Sequence, residues 1–176
     1  MTTDENEFEE DKGRLERIAE RVGSISYIQT LKALIQGEKK VAVIVDAPNI
    51  LRRVNDRQIR LEDIDEQITD IGKIVIKKVI LNEHASENLI KAVTNSGYEP
   101  IVSSHDLYIT LAIEAMSLLN QMKNIDTLVL ATRHARAGPI LLKIKERGVE
   151  TVIVGYEPGL SVALKKTADI VKIIDI

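Results

Sequence analysis

Cysteine is absent from the 176 residues, which excludes a disulfide scaffold, a thiol nucleophile and any thiolate-ligated zinc or iron-sulfur site. The three histidines are scattered, so a structural metal is not expected either. Aromatic side chains are nearly as scarce. One phenylalanine, four tyrosines and no tryptophan are too few for a nucleic-acid platform that works by stacking bases, so any nucleic-acid contact would lean on phosphates. No stretch reaches the ~18 uncharged apolar residues that cross a bilayer, and the polar, acidic first residues lack the basic start and apolar stretch of a secretory signal. A cytoplasmic location without membrane contact is expected. A Walker A lysine, a G-x-G-x-x-G fingerprint and a G-x-S-x-G elbow are also missing, which argues against a P-loop triphosphatase, an NAD enzyme and a serine hydrolase.

What is present divides unevenly. The formal net charge is -3, yet Asp4, Glu5, Glu7, Glu9, Glu10 and Asp11 stand without a base among the first 11 residues, which leaves +3 on the rest. An acidic tail masks a mildly basic body. Residues 1 to 11 have the composition of a disordered tail. Hydrophobic residues make up 44% of the chain and isoleucine leads them, enough for one core and weighted towards buried strands.

From Leu15 to Ile35 an apolar residue recurs every three or four positions (Leu15, Ile18, Val22, Ile25, Ile28, Leu31, Ile35). That spacing predicts an amphipathic helical arm over 12 to 38, weakened at Gly23-Ser24. Two uses stay open for it: packing on the domain's own core, or pairing with a second subunit to give a homo-oligomer. After residue 40 the period changes. Apolar runs at 41–45, 74–81, 98–102, 127–130, 149–154 and 170–174 read as strands buried on both faces. Helical stretches at 62–72, 86–96, 107–122, 138–147 and 161–168 lie between them, with Gly97 and Gly148 placed as helix-ending glycines. The alternation predicts an α/β domain over 39 to 176, built on a mainly parallel sheet of five to six strands with helices on both sides.

In such sheets ligands bind beyond the carboxyl ends of the strands. The first strand ends in Asp46-Ala47-Pro48-Asn49, followed by the basic set Arg52, Arg53, Arg57 and Arg60. Asp46 reads either as a structural acid bonded to loop amides or as a functional group, and the arginines as a solvated helix face or as phosphate contacts. The fourth strand ends in Ala131-Thr132-Arg133-His134-Ala135-Arg136, the fifth in Gly155-Tyr156-Glu157-Pro158-Gly159-Leu160-Ser161. Gly155 and Gly159 read as turn residues, and Ser161 as a helix cap.

The stretch Val41-Ala-Val-Ile-Val-Asp46-Ala-Pro-Asn49-Ile-Leu-Arg resembles the D-x-x-N opening of NYN domains, members of the PIN-like nuclease superfamily, and in particular an archaeal branch. The closing Glu157-Pro-Gly-Leu-Ser161-Val-Ala-Leu and Ala168-Asp169 resemble that branch's ending, and the likeness runs from about residue 40 to 176. It implies a Rossmann-like, three-layer PIN fold and a lineage of magnesium- or manganese-dependent ribonucleases acting in RNA processing or decay. Carried over, Asp46 and Asn49 fall on the family's first acid and its asparagine. In the segment that usually reads V-D-V-x-L-A-x-D-A, Tyr108 replaces one acid and Glu114 keeps the other. Two further family acids, placed by counting back from Pro139, fall on His134 and Arg136, and an aromatic falls on Ala137.

These departures set the functional expectations. A hard divalent cation needs several acidic oxygens, and with Asp46 and Glu114 alone, faced by an imidazole and a guanidinium, the pocket repels one. Arg136 is expected to fill the vacated position and pair with Asp46. Phosphate recognition survives in this reading, through Arg52, Arg53, Thr132, Arg133, His134 and Arg136. The leading expectation is an RNA-binding or phosphate-binding protein of RNA metabolism with lost or weakened cleavage. One alternative is an active magnesium or manganese ribonuclease that uses Asp46, Asn49 and Glu114 with an unaligned acid such as Asp106. The other is a non-catalytic oligomerisation or regulatory module.

Overall fold

A computed structural model of the protein describes residues 37–176. The expected acidic tail at 1–11, the helical arm at 12–38 up to residue 36, and any subunit pairing through that arm lie outside the described residues.

Six of the apolar runs form one sheet: β1 (Lys40–Asp46), β4 (Lys73–Asn82), β5 (Glu99–Ser103), β6 (Thr127–Ala131), β7 (Glu150–Gly155) and β8 (Ile170–Ile173). Every pairing is parallel, in the order β5-β4-β1-β6-β7-β8. The central strand is β1, whose Val41 to Val45 have no exposed surface. Side chains alternate across the sheet. Val41, Val43 and Val45 join one core with Ile64, Ile68 and Val93, from α2 (Leu61–Ile68) and α3 (Glu87–Asn95). Ala42 and Ile44 join the other, with Leu111, Leu118, Leu141 and Leu164 from α4 (Leu107–Gln121), α5 (Gly138–Lys145) and α6 (Val162–Thr167). Helices therefore cover both faces, the three-layer arrangement expected from uninterrupted apolar strands.

Local signals set the ends. Ser86 caps α3 by accepting a hydrogen bond from the Leu89 amide at 3.2 Å, and Asp106 caps α4 through the Tyr108 amide at 2.8 Å. Gly97 (φ 78°) and Gly148 (φ 74°) close α3 and α5 in the left-handed conformation. Ser161 stands at the start of α6, but its side chain makes no capping bond.

The segment after β1 differs from expectation. A single turn, α1 (Ala47–Ile50), leads into a small hairpin of β2 (Arg53–Val54) and β3 (Arg57–Gln58). Arg53 and Arg57 therefore sit on a ribbon and not on a helix face. The reason is Asn55-Asp56: both residues have positive φ (47° and 65°), the two-residue reversal that matches the right-handed twist of paired strands.

Candidate nucleic-acid cleft

Counting only the strands of the large sheet, the order is 3-2-1-4-5-6, and its direction of winding reverses between β1 and β6. The carboxyl ends of those two strands flank the crevice where such folds bind ligands. β1 delivers Asp46 there and β6 delivers Thr132, which follows Ala131.

Asp46 is 1% exposed. Its Oδ2 accepts hydrogen bonds from the Thr132 hydroxyl at 2.8 Å and the Tyr108 hydroxyl at 3.2 Å. Asn49, one turn on, donates from Nδ2 to the Tyr108 oxygen at 3.1 Å. Burial pushes the Asp46 carboxyl above its usual range, opposed in decreasing order by the two hydroxyls, the Asn49 backbone amide and the charge on His134. Burial and the charge of Asp46 raise the Tyr108 hydroxyl in turn, which keeps it protonated as a donor. Both side-chain hydrogen bonds to this buried carboxyl thus come from neutral hydroxyls, and no salt bridge reaches it among the described residues.

The cationic residues do not converge on it. Arg136 pairs with Asp106, not with Asp46 as expected, and its guanidinium lies over the Tyr108 ring at 4.7 Å. The physical reason is the tyrosine itself, whose ring carries Arg136 on one side while its hydroxyl reaches Asp46; the half-buried cap Asp106 offers the guanidinium a carboxylate outside the pocket. Arg136 holds the Asp106 carboxyl below the usual range, helped by the Tyr108 amide. The His134 ring stands 5.2 Å from that of Tyr108, and its Nδ1 accepts the Arg136 amide at 3.2 Å. Arg133 turns the other way. It stacks on Tyr156 at 4.0 Å, donates to the Pro158 carbonyl at 2.9 Å, and its buried Nε has no partner among the described residues. Gly159 leaves room for it, since a Cβ there would lie 2.8 Å from Nη1. Arg133 thereby braces the loop after β7.

Nor do Asp46 and Glu114 come together. Glu114 lies six residues beyond Tyr108, ~9 Å further along α4, and its carboxylate is held by Lys78 of β4 at 2.8 Å. Among the described residues no group of three or more histidine or acidic side chains could hold a metal ion. The donor set at Asp46, one carboxylate with an amide, two hydroxyls and an imidazole nearby, does not fit the oxygen-rich shell of magnesium or manganese.

Beside Asp46 opens a cleft of about 330 Å³, bounded by Pro48 and Leu107, with Asn49, Arg52, Asn82 and Tyr108 around it. Arg52 is exposed at its rim, while Arg53 is exposed on the hairpin and 3.6 Å from Asp56. Asn82 is not among the expected site residues, although it carries the same signal as Asp46, a polar residue directly after a buried apolar run. In the sequence Tyr108 reads only as a replaced acid; its bond to Asp46 follows from the fold.

The NYN domain family matches residues 40–176, and the chain belongs to it. An uncharacterised protein of the archaeon Methanocaldococcus jannaschii is 42% identical over 136 residues, which are 77% of this chain and 55% of that protein. The chain thus spans about half the length of this curated relative. The crystal structure of a Vibrio parahaemolyticus protein of unknown function shares the fold, with a TM-score of 0.68 at 15% identity over 78% of this chain and 94% of that one. Among the described residues no helix is long and apolar enough to cross a membrane.

Proposed function

We propose that the protein acts in RNA metabolism by binding RNA, or another phosphate-bearing ligand, in the inherited nuclease cleft, with metal-dependent cleavage lost or weak. One observation carries this reading: at the switch point Asp46 is a lone buried carboxylate satisfied by Thr132 and Tyr108, and the groups flanking it are an imidazole and a guanidinium. Membership of the NYN family supports a nucleic acid as the ligand class. Arg52 and Arg136 stand on either side of Tyr108, which suits a polyanion passing over the mouth. The reading needs no magnesium or manganese.

The test is binding of a fluorescent single-stranded RNA to the purified full chain over a range of salt, with and without manganese. Salt-dependent binding with intact RNA is expected. Arg136→Glu should weaken it about tenfold and reduce the slope of log affinity against log salt by about one. Manganese-dependent degradation that disappears in Asp46→Asn would overturn the proposal.

A further inference from the structure

The cleft beside Asp46 is lined differently from the rest of the mouth. Against Tyr108 elsewhere stand an imidazole and a guanidinium, those of His134 and Arg136. In the cleft itself two primary amides, Asn49 and Asn82, face a space with apolar boundaries at Pro48 and Leu107 and a single arginine, Arg52, at the rim. A volume of about 330 Å³ is near the lower limit for small-molecule sites. It suits one nucleotide unit and is far too small for a duplex.

The two amides have unspent hydrogen-bonding capacity of opposite kinds. Asn49 commits Nδ2 to the Tyr108 oxygen at 3.1 Å, and its Oδ1 accepts no side-chain or backbone bond among the described residues. Asn82 commits Oδ1 to the His84 amide at 3.2 Å, which leaves both Nδ2 protons free among the described residues. One amide thus offers an acceptor and the other a donor. The edge of a nucleobase carries a donor beside an acceptor, whereas a phosphate or a ribose hydroxyl does not need such a pair. Arg52 forms no ion pair among the described residues, in contrast to Arg53 with Asp56, Arg57 with Asp63 and Arg136 with Asp106. Its charge is available at the rim for the phosphate attached to that base.

From this arrangement we infer that the cleft is a subsite for a single unstacked nucleobase, read edge-on by Asn49 Oδ1 and Asn82 Nδ2, enclosed by Pro48 and Leu107, with its phosphate on Arg52. The inference rests on the proposed function, because it names the part of the RNA that this site takes. Base selectivity here comes from directional bonds, which fits a chain with too few aromatic residues to hold bases by stacking.

The experiment compares the affinity of the full chain for oligouridylate, oligocytidylate and oligoadenylate of equal length at fixed salt. The wild type should favour one of the three by about tenfold or more, the lower range of one directional base contact. Asn82→Asp keeps the acceptor that holds the His84 amide and so preserves the turn, but it replaces the free donor. Its added charge weakens all three ligands alike, so the ratio between them is the readout, and that ratio should collapse towards one. Arg52→Ala should weaken all three together and leave the ratio standing. Equal wild-type affinities, or a ratio unchanged in Asn82→Asp, would overturn the base subsite while leaving RNA binding in place. Failure of the wild type to bind any of the three would overturn both.

Discussion

At the N-terminal edge of the sheet each of three acids is matched by a cation or a backbone amide. Asp126 accepts the Lys40 amide at 2.8 Å, Glu150 pairs with Lys39 at 3.0 Å, and Asp169 accepts the Thr151 amide at 2.9 Å and pairs with Lys145 at 2.7 Å. At the C-terminal edge Asp46 has neutral hydrogen-bond partners, Arg136 is drawn off to the half-buried Asp106, and Arg52 has no carboxylate among the described residues. The first edge is built as a fold needs it, with charges neutralised where strands begin. The second leaves Asp46 and Arg52 without an ionic partner among the described residues, an arrangement that stability alone does not favour. The contrast supports the proposed ligand site at the mouth without reference to any relative.

The largest test of this contrast is Thr132→Val, which keeps the shape and removes the 2.8 Å bond to Asp46. Leaving a buried carboxylate short of a donor should cost about 1–3 kcal/mol in urea unfolding; a loss no greater than at the opposite edge would break the contrast. The pH dependence comes next. Because the folded pKa of Asp46 is raised, its contribution to stability is fully present below its ordinary value near 3.8 and is lost as pH rises through the raised value. Asp169 has the opposite sign: held down to about 2 by Lys145 and Thr151, it adds stability above 3.8 that disappears as pH falls towards 2. Asp46→Asn should therefore gain stability relative to the wild type as pH rises from about 4 to 8, and a difference that shrinks with rising pH would contradict the buried, unmatched carboxylate. The smallest effect belongs to Lys39→Ala at the matched edge. Its partly exposed pair with Glu150 should contribute less than about 1 kcal/mol, measured by the same unfolding titration.

The sheet was legible in the sequence because each of its strands is an apolar run wedged between helical stretches. Val41 to Val45 and Val152 to Val154 are buried completely, so no polar alternation blurs them. The ribbon after Ile50 was not legible as a run: its strands are two residues each, and Asn55-Asp56 was its only signal. The site was legible one residue at a time and not as a set. Thr132 and Tyr108 both donate to Asp46, and Asn49 donates to Tyr108. Pairings across the mouth depend on side-chain reach, which spacing along the chain does not encode. Arg136 could choose between Asp46 and Asp106, and only the position of the tyrosine ring decides. Arg133 shows the same limit, since nothing near it in sequence marks Tyr156 and Pro158 as its partners.

Tyr156 also donates its hydroxyl to the Asn49 carbonyl at 3.3 Å while its ring supports Arg133. Through that one buried side chain the segments that follow β1, β6 and β7 are fastened to each other. A ligand bound there as proposed would meet loop backbones already tied together, which lowers the cost of ordering them. Association at this mouth should accordingly be fast for its size, with selectivity residing in how long each ligand stays.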